Sequence, residues 1–125
     1  MKFQPDTADG VNVITRVEAA RLWVGNTAFD HSILVPWKGG VERWEASAPT
    51  ELTPRHFEQL LGLKPELVIF GSGDKLRFIS PAIYRALIEA RIGIETMDTA
   101  AACRTYNVLA SEGRSVVAAL LLGPG

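Results

Sequence analysis

The first third of the chain alternates short β-forming stretches with turn residues. Val11 to Arg16 is rich in strand formers, and Arg21 to Val24 follows after a short interruption and runs directly into Gly25-Asn26. Glycine at the first central position of a two-residue turn supplies a positive φ cheaply, so this pair predicts a type II′ hairpin into Thr27 to Val35. In that third segment Phe29, His31, Ile33 and Val35 share one face, and Pro36 ends the run because proline cannot donate to a ladder. Lys38-Gly39-Gly40 reads as a turn before a strand around Val41 to Ala46, which carries Trp44. Thr53-Pro54 reads as a helix cap followed by proline at the first helical position. Phe57, Leu60 and Leu61 form the apolar face of that helix, and Gly62 stops it.

From Glu66 the pattern changes to strand, helix, strand, helix, strand, the order of parallel strands joined by right-handed crossovers. Leu67 to Phe70 is continuously apolar, as expected of a strand covered on both faces. Ser80-Pro81 repeats the cap-then-proline start. Ile83, Leu87 and Ala90 lie at helical spacing with Arg85 and Glu89 facing outward, and Gly93 closes the helix. Ile94 to Met97 is the next strand, Asp98-Thr99 offers a capping side chain, and an Ala-rich helix runs to Glu112 before Gly113. Ser115 to Leu122 is a last, central strand. The resulting fold class is mixed α+β: an antiparallel β-rich amino-terminal part and a βαβαβ unit, layered around one mixed sheet. A single domain over residues 1–125 is expected, with its ordered core at about 11–122, and Ser47 to Pro54 connects the two halves.

Composition narrows the function classes. A chain of 125 residues with 47% hydrophobic and 22% charged residues has the balance of a globular protein, long enough to form one core. Thirteen basic and fourteen acidic residues give a net charge of −1, with neither sign gathered into a block, so no nucleic-acid footprint is expected. The longest apolar run, Val116 to Leu122, is far shorter than the ~20 residues of a membrane-spanning helix, so no membrane insertion is expected. The first residues, MKFQPDTADG, carry neither a secretion signal nor a mitochondrial presequence, and a cytoplasmic location follows by default. One cysteine and no Cys/His cluster predict neither disulfide, structural metal nor cofactor.

Candidate chemistry is sparse. Gly71-Ser72-Gly73 follows a buried strand, where two glycines let backbone N–H groups converge on an anion or carbonyl; the bland reading is a structural turn. Asp74 follows where a nucleotide loop would avoid negative charge. The loop and the Asp98-Thr99 helix start both lie at carboxyl ends of strands, the edge where open α/β sheets place ligands. Gly71, Ser72, Gly73, Asp98 and Thr99 therefore form the candidate ligand site, with Arg104 and Asn107 either facing it or saturating local carbonyls. Cys103 sits at buried-face spacing with Tyr106 and Ala110, so it reads as structural, and His31 and His56 are each isolated from a carboxylate in sequence. No catalytic residue is expected. Trp23, Trp37 and Trp44 cluster in the β-rich third, where core packing is the default reading and an exposed Trp37 would point to a partner surface.

Met97-Asp98-Thr99, Ala102 to Leu109 and Glu112-Gly113-Arg114, with the Leu67 to Gly73 strand and loop before them and Val116 to Leu122 after, resemble a known pattern over residues 66–122. It is similar to the uncharacterised domain family that includes mitochondrial respiratory complex I assembly factor 3, the adipogenesis-associated protein of animals and many small bacterial proteins. The resemblance implies an α/β fold of its own type, no established enzymatic activity, and protein partners in assembling a respiratory complex. Ser72 departs from the Thr expected at that turn. The resulting expectation is a bacterial, non-enzymatic, assembly-factor-like interaction protein. The alternative is a small-molecule or anion-binding protein, or an enzyme, using the glycine loop and the Asp98-Thr99 helix start.

Overall fold

The computed structural model describes residues 10–123; the amino-terminal residues 1–9, read above for targeting signals, lie outside them, as do residues 124–125. The elements run β1 (Ile14–Glu18), β2 (Arg21–Val24), β3 (Thr27–Phe29), β4 (Ile33–Val35), β5 (Glu42–Arg43), a 3-10 turn (Pro49–Glu51), α1 (Pro54–Leu61), β6 (Leu67–Gly71), α2 (Arg85–Glu89), β7 (Gly93–Met97), α3 (Thr99–Ser111) and β8 (Val116–Leu120). They form a three-stranded sheet, β1-β2-β3, and a five-stranded sheet ordered β5-β4-β8-β6-β7. In the larger sheet β6 pairs parallel with β7 and β8, while β4 pairs antiparallel with β8 and β5. The mixed α+β architecture is the one the pattern predicts, and β8 is its centre.

The period-two geometry of a strand sorts its residues onto opposite faces. Ile33, Val35, Leu67, Ile69, Val116, Ala118 and Leu120 point to one core, which is closed by Ala102, Cys103, Tyr106 and Ala110 of α3 and by Ile14, Leu22 and Val24 of the small sheet. Leu34, Val68, Phe70, Val117, Ala119 and Leu121 point to the other, closed by Trp44, Phe57, Leu60 and Leu87. β6 and β8 are buried along their whole length, which accounts for their unbroken apolar sequences. Small residues on both sides, Ala102, Cys103 and Ala118, let α3 lie close to the sheet.

The Gly25 hairpin forms as expected, with Val24 opposite Thr27 and φ +59° at Gly25. Several boundaries differ. The first strand is shifted to Ile14–Glu18 and carries a bulge between Ile14 and Arg16. The predicted Thr27 to Val35 strand is cut in two, and its halves belong to different sheets, because Ser32 leaves the ladder: its buried hydroxyl accepts from Leu122 N–H at 2.8 Å, and its carbonyl accepts from Trp44 N–H at 2.9 Å. The Val41 to Ala46 strand shrinks to Glu42–Arg43. Leu61 and Ala90, assigned to apolar helix faces, are exposed.

Helix ends hold two further corrections. Gly62 keeps a right-handed φ of −66°, and Lys64, at φ +51°, makes the reversal instead; likewise Arg91 at φ +61° ends α2, and Gly93 already belongs to β7. Ser80 accepts a hydrogen bond from Ala82 N–H, but it opens a pair of tight turns, and regular helix begins only at Arg85. Thr53 stands at the N-cap of α1 as predicted, but the bond formed there runs the other way: its own N–H donates to His56 Nδ1 at 3.0 Å. That fixes the proton on Nε2, which donates to Glu45 O at 2.9 Å, so His56 ties α1 to the edge of the sheet.

Candidate functional site

The carboxyl ends of β6, β7 and β8 lie side by side, so the loop after β6 and the start of α3 meet there. Asp98 Oδ1 accepts from Ala101 N–H at 2.9 Å, an N-cap of the kind that stabilises a helix by ~1 kcal/mol. Thr99 is buried and joins three segments: its hydroxyl donates to Leu121 O at 2.7 Å and accepts from Gly73 N–H at 3.0 Å, and its own N–H donates to Gly73 O at 2.8 Å. Gly71 is required by this closeness, since a β-carbon there would lie 2.9 Å from Thr99 Cα. The amide protons of Ser72, Gly73 and Thr99 are thus all engaged within the fold, Ser72 N–H on Met97 O at 2.8 Å.

Ser72 also shapes the chain beyond the loop. The residue is 2% exposed, and its hydroxyl donates to Lys75 O at 2.6 Å and accepts from Arg77 N–H at 2.9 Å. Those two bonds hold an irregular stretch from Lys75 to Phe78 at the surface, where Leu76 is 51% and Phe78 77% exposed, before Ile79 packs back on the second core.

A cleft of about 400 Å³ opens beside this clasp. Its floor and walls are apolar, from Val17 of β1, Ala19 and Ala20 of the β1–β2 turn, Ala100 of α3, and Leu121 and Leu122 beyond β8; Glu18, Asp74 and Asp98 stand around it. Glu18 carries Arg16 at 2.6 Å. With Glu18 engaged by Arg16, Asp74 and Asp98 still give the apolar floor an acidic margin, which suits an apolar or cationic group better than a phosphate. A second, polar cleft of about 620 Å³ shares Ala20, Leu122 and Gly123 with the first and is lined by Arg21, Asp30, His31, Arg43 and Glu51. Two of its charged groups meet partners close by: Arg43 pairs with Glu45 at 2.9 Å, and Glu51 accepts from Ser47 N–H at 2.9 Å.

Gly73, Asp98 and Thr99 line the apolar cleft, and Gly71 and Ser72 form the clasp behind it. Arg104 and Asn107 lie elsewhere. Arg104 is exposed further along α3, and Asn107 accepts from Ile14 N–H at 2.9 Å and donates to Ile14 O at 2.8 Å, pairing as a neighbouring strand would at the β1 bulge. Tyr106 OH reaches Asn12 O and Pro36 O, and Trp37 Nε1 donates to Ala110 O at 3.0 Å, so one face of α3 staples the amino-terminal segment. Trp37, partly buried and committed to this bond, packs on the core. Two features of the site escape sequence reasoning: the β1–β2 turn that walls the cleft, and the exposed Leu76 and Phe78. The available signal for the latter was Lys75-Leu76-Arg77-Phe78, apolar positions between a Gly-rich turn and Ser80-Pro81 with no helical or strand partner of their own.

Glu66 accepts from Arg114 Nε at 3.0 Å and from Ser115 N–H at 3.2 Å; the Arg114 bond first and the backbone bond second hold its carboxyl below the usual range. Cys103 is 1% exposed, and burial pushes its thiol from about 9 to about 12. The folded chain keeps this thiol protonated where an unfolded one ionises. Stability is therefore intact below about pH 9 and falls as pH rises toward about 12, with a slope of up to ~1.4 kcal/mol per pH unit. Burial raises the Tyr106 phenol above its ordinary value of about 10 as well, so its contribution to the loss sets in from about pH 10, within the same window. Urea unfolding from pH 8 upward should show this decline, and Cys103→Ala should flatten its lower part; an unchanged slope in the variant would assign the decline to other groups.

The profile of a family described as "Protein of unknown function (DUF498/DUF598)" matches residues 14–121. The chain belongs to this family. It is 35% identical over 103 residues to NADH dehydrogenase [ubiquinone] 1 alpha subcomplex assembly factor 3 of Bos taurus and 32% identical over the same length to that of Homo sapiens, covering 81% of this chain and 55% of each relative. The chain thus spans about half the length of these curated relatives. Among solved structures it is similar to a crystallised protein of Bordetella parapertussis, with a TM-score of 0.87 at 36% identity, covering 93% of this chain and 99% of that one. A Bordetella pertussis protein described as an Mth938-like domain gives a TM-score of 0.83 at 31% identity, covering 97% and 92%. The family thus has bacterial members, and its fold is the same mixed α+β architecture. Among the described residues no helix is long and apolar enough to cross a membrane.

Proposed function

We propose that this chain, folding as one domain over residues 1–125, acts in the cytosol as an assembly-factor-like module that binds protein partners during construction of a respiratory NADH dehydrogenase. The observation that carries the reading is the likeness to assembly factor 3 along four fifths of the chain. The geometry supports binding over chemistry. The loop amides are engaged internally, the thiol is sealed in the core, and apolar side chains instead stand out on a segment anchored by Ser72. The small-ligand alternative draws on the cleft beside Asp98 and Thr99, with an apolar or cationic ligand favoured by its lining.

Deletion of the gene in its source organism, followed by native-gel separation of NADH dehydrogenase, tests the proposal. Less mature complex and more partial assemblies are expected, both restored by the full chain. A mature complex at the parental level would refute it.

A further inference from the structure

The protruding segment and the apolar cleft are complementary in polarity and in charge. The segment presents Leu76 and Phe78 between Lys75 and Arg77. The cleft presents an apolar floor with Asp74 and Asp98 around it, beside the Glu18–Arg16 pair. An aromatic ring buries about 150–250 Å² when it enters such a site, and a Phe exposed to 77% leaves most of that area in water. Within one copy the ring does not occupy the cleft, because Ser72 ties Lys75 and Arg77 to the loop base and Phe78 projects outward.

We propose that a second copy of this chain is the occupant: Phe78 of each protomer enters the Val17, Ala20 and Leu122 cleft of the other, with Lys75 and Arg77 facing the partner's carboxylates. Placement favours a reciprocal pair. Gly73 and Asp74 line the cleft and the protruding segment comes immediately after them, so donor and acceptor are neighbours on one surface. Two such surfaces related by a two-fold axis satisfy both contacts at once, the self-complementary arrangement that closed dimers use. Opposite charges set the orientation and make the association weaken with salt. Self-association of this kind is independent of the assembly role, and the purified chain alone suffices to test it.

Sedimentation equilibrium over a concentration series is expected to show a monomer–dimer equilibrium that shifts toward monomer as salt rises. Phe78→Asp, at an exposed position that leaves the core intact, is expected to weaken self-association by roughly tenfold or more, as loss of a central aromatic anchor does. Ala100→Arg, which fills the cleft and repels Lys75 and Arg77, is expected to do the same from the other side. Mixing the two variants should restore association, since one contact in the mixed pair is intact. A species of monomer mass throughout, or a dimer indifferent to both variants, overturns the proposal, as does a mixture no tighter than its components. Unchanged far-ultraviolet circular dichroism of each variant ensures that the comparison is between folded proteins.

Discussion

Thr99→Val is expected to lower the unfolding free energy by about 2–4 kcal/mol, although it preserves side-chain shape and removes no apolar contact. The hydroxyl is the donor for Leu121 O and the acceptor for Gly73 N–H, in a site with little access for water. Valine leaves both backbone groups without a partner, and an unsatisfied buried group costs more than the hydrogen bond itself contributes. Urea denaturation should give a lower midpoint with an unchanged slope. Thr99→Ser should recover most of the loss, because the hydroxyl returns and only a methyl is missing. A valine variant as stable as the parent would mean that the three strand ends are held by something other than this clasp.

Trp44→Ala should cost about 3–5 kcal/mol, the range for emptying a large aromatic site that cannot collapse. Trp44 is 1% exposed and meets Phe57, Phe70 and His56 edge to face, at ring separations of 5.6, 6.1 and 6.1 Å. Its Nε1 donates to His56 O at 3.2 Å, so the side chain joins α1 to the outer face of the large sheet by packing and by a hydrogen bond. Trp44→Phe is expected to fall between parent and alanine, since it keeps most of the apolar area and gives up the bond. Thermal unfolding followed by circular dichroism decides this. A loss below ~1 kcal/mol in Trp44→Ala would show that α1 is held mainly from elsewhere.

The second half of the fold was legible because its strands are buried on both faces and its helices carry their own signals. Leu67 to Phe70 and Val116 to Leu120 can be little else than central strands, and Asp98 and Gly113 mark α3 at both ends. The first third was not, because its breaks are set from a distance. Ser32 leaves its ladder for Leu122, and Ile14 is paired by a side chain of α3; neither partner is visible in the local pattern. Arg91 and Lys64 adopt left-handed conformations that sequence rules assign to glycine, so the nearby glycines were credited with turns they do not make. For the site, the meeting of Gly71-Ser72-Gly73 with Asp98-Thr99 followed from topology alone. The opposite wall, from Val17 to Ala20, required knowing where the small sheet packs.

Gly71 limits how this rim of the fold can vary. With no room for even a methyl group between the end of β6 and the first turn of α3, the clasp behind the cleft is set by main chain, and substitution at Gly71 cannot remodel it without prising the layers apart. Val17, Ala20, Ala100, Leu76 and Phe78 are under no such restriction. Substitutions there can redraw the margins of the cleft while the seam beneath stays as it is.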